Sequence, residues 1–245
     1  MYSSPVFKVL VGLNQIIHYR VKPLTFSDPR HVITSRIYAF VLAGLCVSSV
    51  MISKGTDVLY INGAHTPWLD QFFKNITNLG EGHIFIPIFI ITLFIRFQYS
   101  LACVLTLASH ALISTFLKRV IFIEMLRPSA VLKHDLLYFV PGVEVHATHS
   151  FPSGHTMTAV GAAIFLALLS RNAAVGVVTL ILALLVGCSR IYLVQHFLMD
   201  VAAGALIGAF TTYVVWQLLE ASPKREWMRR RLRFPRSQRN TPATS

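Results

Sequence analysis

His196 and Asp200 stand four residues apart at the end of the run Ser189-Arg190-Ile191-Tyr192-Leu193-Val194-Gln195-His196-Phe197-Leu198-Met199-Asp200. On a helix that spacing puts both on one face, so the carboxylate can accept a hydrogen bond from one imidazole nitrogen and leave the other with a lone pair aimed outward. A histidine held this way is an oriented nucleophile or base; the same pair would equally serve as a buried polar tie between helices. Arg190 adds an always-charged fork suited to a phosphate oxyanion, or to anchoring a helix end at an interface. Upstream, Pro152-Ser153-Gly154-His155 lies where a polar loop enters an apolar run. At a helix N-terminus, free backbone N–H groups, a Ser hydroxyl and a Gly that admits close backbone approach make an anion cradle. His155 at its rim could give a proton to a leaving oxygen near neutral pH; a plain helix cap is the simpler use of the tetrapeptide. Charges in or beside apolar runs are costly without a partner or a task.

The elements that position these residues are apolar. The chain has 245 residues, 54% of them hydrophobic and 13% charged, with a mean hydropathy of +0.60, the profile of an integral membrane protein. The fold class expected is an all-α bundle of six transmembrane helices with interfacial helices. The spans fall at about Ile37–Ile52, His83–Phe94, Tyr99–Leu117, Thr156–Leu169, Ala173–Cys188 and Phe197–Leu219. A turn with Arg96 and Gln98 joins the second and third spans, and Ser170-Arg171-Asn172 joins the fourth and fifth. Thr66-Pro67 opens an aromatic, amphipathic helix stopped by Gly80 to Gly82 and suited to the outer interface. Pro5–Tyr19 has helical spacing and reads as a helix on the cytoplasmic membrane face or, equally, as a fraying terminus. The whole chain, 1–245, reads as one membrane-embedded domain: an interfacial segment over 1–35, a six-helix core over 36–219 and a basic tail over 220–245. No secretory signal peptide is expected. Cys46, Cys103 and Cys188 all fall in apolar runs and read as packing residues, not a disulfide framework.

The net charge of +12 reads as topology and not as nucleic-acid binding. Eight basic residues follow Ser222, and Lys8, Arg20, Lys22, Arg30 and Arg36 precede or open the first span. With six spans, these join Arg96 and Arg171 on one side. The other side keeps Lys54, Lys74, Lys118, Arg119, Arg127, Lys133 and Arg190. By the positive-inside rule both termini are cytoplasmic and the polar loops, with the active site, face outward.

Taken together, these segments resemble the type 2 phosphatidic acid phosphatase family, which also includes bacterial undecaprenyl-pyrophosphate, phosphatidylglycerophosphate and lipid A phosphatases. The family's second motif, Pro-Ser-Gly-His, is complete at Pro152–His155. Its third, Ser-Arg, five residues, His, three residues, Asp, is complete from Ser189 to Asp200. The resemblance implies that His196 attacks phosphorus to give a phosphohistidine, that Asp200 orients it and that His155 protonates the leaving group. Arg127, Ser153, Gly154 and Arg190 would bind the phosphate. The first motif departs from the family's Lys, six residues, Arg-Pro: Val120 stands at that distance from Arg127-Pro128, with Arg119 and Lys118 one and two residues further back. At about 100° per residue a step of nine positions would put Lys118 opposite Arg127 on an unbroken helix. Either the helix is interrupted between Val120 and Leu126, or a basic ligand is supplied differently. Lys118 is the first choice and Arg119 the substitute.

The function expected is a metal-independent phosphatase acting on a lipid phosphate or pyrophosphate, with no cofactor. Phosphotransfer to a hydroxyl other than water would use the same site. A metal centre at His146, His149 and His155 lacks a full ligand set nearby, with only Asp135 and Glu144 at hand. In a transporter the intramembrane charges would thread the bilayer, whereas here they cluster at one boundary. The absence of a eukaryotic targeting signal and the short loops lean towards a bacterial inner membrane, with the site facing the periplasm.

Overall fold

The computed structural model describes residues 29–222 and 226–232, and within them every regular element is helical. They are α1 (Pro29–Met51), α2 (Thr56–Gly63), α3 (Pro67–Ile76), α4 (Phe85–Ile95), α5 (Phe97–Phe116), α6 (Pro128–Val131), α7 (Gly154–Ser170), α8 (Ala173–Tyr192), α9 (Leu198–Ala221) and α10 (Glu226–Arg229). Short 3₁₀ turns occupy Thr77–Gly80, Gly82–Ile84 and His134–Leu136, and a π turn, Leu117–Ile121, continues α5. The helix expected over Pro5–Tyr19 and most of the basic tail lie outside the described residues.

Among the described residues four helices are long and apolar enough to cross a membrane: α1, α5 with its π turn, α8 and α9. The segment Pro67–Gly80 and the segment Gly82–Ile95, bent by 64°, together pass as a fifth, broken span. α7 is apolar but only 17 residues long. The count by length is thus four or five where the sequence predicts six. Boundaries also move. α1 starts at Pro29 and runs through Arg36, a proline at the first helical position giving up no intrahelical bond. Arg96 alone separates α4 from α5. Gln98, expected in that turn, is buried inside α5, where its amide donates to the Leu219 carbonyl at 3.1 Å.

α7 is the central post, packed along α8 and α9 and touching α5. Glycines let the neighbours approach. A Cβ at Gly204 of α9 would stand 2.3 Å from the Ser153 carbonyl oxygen, and one at Gly208 would stand 2.2 Å from that of Met157. Backbone therefore lies on backbone where α9 crosses the first turn of α7, the close packing that small residues one turn apart allow. Gly161 of α7 makes room in the same way for His110 of α5.

The two ends of the bundle differ. At one end Phe97 N–H donates to the Arg230 carbonyl and Leu232 N–H to that of Leu93, both at 2.9 Å, so Arg229–Arg231 gather beside Arg96. At the other end α2 and α3 form a cap. Asn62 donates to the carbonyls of Tyr138 and Tyr192, each at 2.8 Å, and accepts from Tyr138 N–H at 2.8 Å. Asp70 accepts the hydroxyls of both tyrosines. Asp57 accepts from Leu198 N–H, so the first turn of α9 is capped by a residue far back in the chain.

Candidate active site

Between α8 and α9 the chain turns over only five residues, Leu193–Phe197. The carbonyl of Arg190 accepts the N–H groups of both Gln195, at 2.9 Å, and His196, at 3.0 Å. Val194 takes a left-handed conformation, φ 58°. His196 consequently precedes α9, whose N-cap is Phe197. This corrects the expectation that His196 and Asp200 share a helical face. They meet because Asp200, the third residue of α9, reaches back over the helix start. Its Oδ2 accepts from Phe197 N–H at 3.0 Å, lies 3.3 Å from His196 Nδ1 and accepts the Ser150 hydroxyl. A carboxylate can only accept, so Nδ1 carries the proton and Nε2 keeps its lone pair.

The Pro-Ser-Gly-His segment is fastened to the same point. Ser153 caps α7, its hydroxyl 2.9 Å from that of Thr156 and accepting from Thr156 N–H at 3.4 Å. Its own N–H donates to the Asp200 carbonyl at 3.0 Å. His155 follows in the first turn. Gly80, ending a 3₁₀ turn, packs so tightly on it that a Cβ there would stand 2.8 Å from the His155 Cβ. Thr77 of that turn accepts from Arg190 Nη1 at 2.9 Å.

Arg127 comes in from the long loop. Its N–H donates to the Ala147 carbonyl at 2.8 Å, Nε donates to the Thr148 carbonyl at 2.9 Å, and Nη1 donates to the side-chain oxygen of Gln195 at 2.7 Å and its carbonyl at 3.3 Å. The irregular spacing before Arg127 is absorbed in two steps. The π turn Leu117–Ile121 widens the last turn of α5, which takes up an extra residue and re-aims its side chains. Helix then gives way to non-helical backbone from Phe122 to Arg127. Lys118 thereby comes to the site, its Nζ 3.8 Å from where a Cβ on Gly154 would lie, whereas Arg119 is exposed.

Lys118, Arg127, His155, Arg190 and His196 line one cavity of about 410 Å³, together with Thr77, Glu81 and Gln195. Ser153, Gly154 and Asp200 stand behind its wall, and Arg119 does not reach it. Among the described residues no carboxylate forms an ion pair with Lys118, Arg127 or Arg190. Arg190 is 8% exposed and its Nε has no partner. Three cations thus converge on one cavity without a direct ion-pair partner, with Glu81 on its lining and Asp200 behind it offsetting their charge only from a distance, an arrangement matched to a multiply charged oxyanion. Burial pulls the Arg127 guanidinium below its ordinary range, opposed by the Asp200 carboxylate. Burial also pushes His196 down to about 3, against the pull of Asp200 and helped by the Arg127 and Arg190 charges. The imidazole is therefore neutral, the state a nucleophile needs. Among the described residues no three His, Cys, Asp or Glu side chains converge as metal ligands, and His146, His149 and His155 form no such group.

The sequence profile of the PAP2 superfamily matches residues 99–224, just over half of the chain. The chain belongs to the PAP2 superfamily. Among PAP2 relatives, phosphatidylglycerophosphatase B of Bacillus subtilis is 31% identical over 163 residues, covering 61% of this chain and 74% of that one. Lipid A 4'-phosphatase of Bacteroides thetaiotaomicron is 30% identical over 165 residues, covering 62% and 71%. The fold agrees with two PAP2 crystal structures. LpxE of Aquifex aeolicus superposes with a TM-score of 0.57 at 29% identity, over 65% of this chain and 92% of that one. The transmembrane PAP2-type phosphatidylglycerolphosphate phosphatase of Bacillus subtilis gives 0.55 at 26%, over 77% and 95%. With its long apolar helices and a transmembrane PAP2-type neighbour, this PAP2 protein is an integral membrane protein.

Several residues that build the site escape sequence reasoning. Ser150 stands next to the Pro-Ser-Gly-His run, and Gln195 is a polar residue inside Ile191–Phe197 immediately before His196; those positions were the available signals. Asp57, Asn62 and Thr77 carry none, because their partners are more than a hundred residues away in at least one bond each.

Proposed function

We propose that this membrane enzyme is a metal-independent lipid phosphatase that works through a phosphohistidine at the outer face of a six-crossing bundle. The observation that carries the proposal is the single cavity where a neutral, carboxylate-oriented His196 faces Lys118, Arg127, Arg190 and His155. His196 Nε2 attacks phosphorus as the bond to the lipid oxygen breaks, and His155, protonated once the phosphate anion offsets the Arg190, Lys118 and Arg127 charges around it, gives its proton to that oxygen. His155, now neutral, takes a proton from water as the water oxygen attacks the phosphohistidine, releasing orthophosphate and restoring His196. The three cations and the N-terminus of α7, with the Gly154 and His155 N–H groups, stabilise the charge on the transferring phosphoryl group. Ser153 and Gly154 act by shaping that terminus, and Asp200 by fixing the His196 tautomer.

The substrate is an apolar anchor bearing a phosphate ester or anhydride. Relatives named for phosphatidylglycerophosphate and lipid A support a lipid phosphate as the class. Six crossings arise if α4 and α7 each span with their flanking turns, giving both termini on the cytoplasmic side of a bacterial inner membrane and the cavity on the periplasmic side. The gathering of Arg96 and Arg229–Arg231 at the end away from the cavity supports that orientation.

Phosphate release from a panel of lipid phosphates in detergent is the test. His196→Ala and His155→Ala should abolish turnover and chelators should leave it intact; full activity in His196→Ala sinks the proposal. A reporter at the exposed Lys133 should react from outside the cell, and labelling only after permeabilisation overturns the orientation.

A further inference from the structure

We infer that Gln195 is a positioning residue that holds Arg127 at the phosphate site, and that it does so as the link between three of the site's groups; the inference rests on the phosphatase reading above. Gln195 is buried, at 2% exposure, and each of its polar groups is used. Its N–H donates to the Arg190 carbonyl at 2.9 Å. Its side-chain oxygen and its carbonyl accept from Arg127 Nη1 at 2.7 and 3.3 Å. Its amide nitrogen donates to the Glu144 carbonyl at 2.8 Å, which holds the side chain in one orientation and points its oxygen at the guanidinium. The next residue is His196. One residue therefore sets where Arg127 stands relative to both Arg190 and the nucleophile.

The need for such a link follows from where Arg127 comes from. Arg190 and His196 are fixed by α8 and the short turn after it, but Arg127 arrives on an irregular segment between the π turn and α6, with no helix of its own to aim it. The Thr148 carbonyl holds its Nε, and a carboxylate partner would hold it more strongly while cancelling its charge. A neutral amide does otherwise: it accepts from Nη1 and leaves the positive charge for the substrate. Nη2 has no protein partner among the described residues and is left for a phosphate oxygen.

The test is a double-mutant cycle with Gln195→Met, which keeps the volume and removes the hydrogen bonds, and Arg127→Lys, which keeps the charge and removes the fork. Two quantities are read in all four proteins, kcat/KM on a lipid phosphate and orthovanadate affinity by calorimetry, with melting temperature in detergent alongside. Gln195→Met should lower kcat/KM and weaken vanadate by about tenfold to a hundredfold in the parent, the range for a hydrogen bond to a charged group. In the Arg127→Lys background it should change either by less than about twofold, because the group it positions is gone. Equal losses in both backgrounds, or no loss in the parent, overturn the inference, since a residue that only supports the loop would weaken every variant alike. If Gln195→Met does not fold, Gln195→Asn, one methylene too short to span Arg127 and the Glu144 carbonyl, runs the same cycle. A parent that releases no phosphate sinks the phosphatase reading instead, and the vanadate cycle still decides the role of Gln195.

Discussion

The cavity has two unlike walls. One is made by the first turns of α7 and α9 and the turn before α9: Ser153, Met157, Val194, His196 and Phe197 are at most 1% exposed, and motif residues hydrogen-bond to one another's backbone. The other runs from the π turn to Arg127, where Val120, Ile121, Ile123, Met125 and Leu126 are all between 37% and 60% exposed. The first wall holds the bond-making groups, and burial and close glycine contacts leave it little room to shift. The second supplies charge, through one lysine with no ion-pair or hydrogen-bond partner among the described residues and one arginine held by its neighbours. Nucleophilic attack is sensitive to small displacements, whereas a cation on a long stem tolerates them. The division of labour follows that difference.

The contrast is sharpest at Lys118. If the second wall contributes charge and not shape, Lys118→Ala should lower kcat/KM by about 10²–10³, as for loss of one donor to a transition-state oxyanion. Arg119→Ala should stay within about twofold, because Arg119 points away. Equal effects of the two would mean that the π turn does not select between them. On the first wall the matching variant is Gly204→Ala. Its Cβ would meet the Ser153 carbonyl at 2.3 Å, and backbone cannot swing aside as a side-chain tip can. Stability should fall by about 1–3 kcal/mol, and kcat by about a hundredfold with KM much less changed. A Gly204→Ala protein with normal kcat would show that the wall yields and that its tightness is incidental.

The two walls were also unequally legible in the sequence. Pro152–His155 and Ser189–Asp200 declare their chemistry by residue type and spacing, and the apolar runs declare helices. Even so His196 and Asp200 do not meet on the helical face that their spacing predicts, since a helix start lies between them and a capping carboxylate makes the contact. Gly204 and Gly208 are invisible as contacts because small apolar residues look alike in a span until the partner helix is known. On the second wall the spacing before Arg127 leaves two readings open, an interrupted helix or a basic ligand supplied differently, with Lys118 the first choice and Arg119 the substitute. A π turn, however, is a rare single-turn insertion that the apolar periodicity of the run does not announce. Asp57 and Asn62 are legible only in three dimensions, as partners to backbone groups far along the chain.

The smallest effect concerns the dryness of the first wall. Burial holds His196 neutral down to about 3, whereas a histidine in the unfolded chain titrates near 6.5. The folded pKa is the lower one, so the stability this site contributes is fully present above about 6.5. Below that the unfolded chain takes up a proton that the folded chain refuses, and stability drains away until the pH reaches the folded value. Comparison with His196→Asn, which cannot titrate, cancels the contributions of other groups. Between pH 7 and pH 5 the parent should lose on the order of 1–2 kcal/mol more than the variant, read as a larger drop in melting temperature in detergent. Parallel drops would mean that His196 protonates as freely folded as unfolded. Water would then reach the nucleophile from behind, and the two walls would differ in rigidity without differing in hydration.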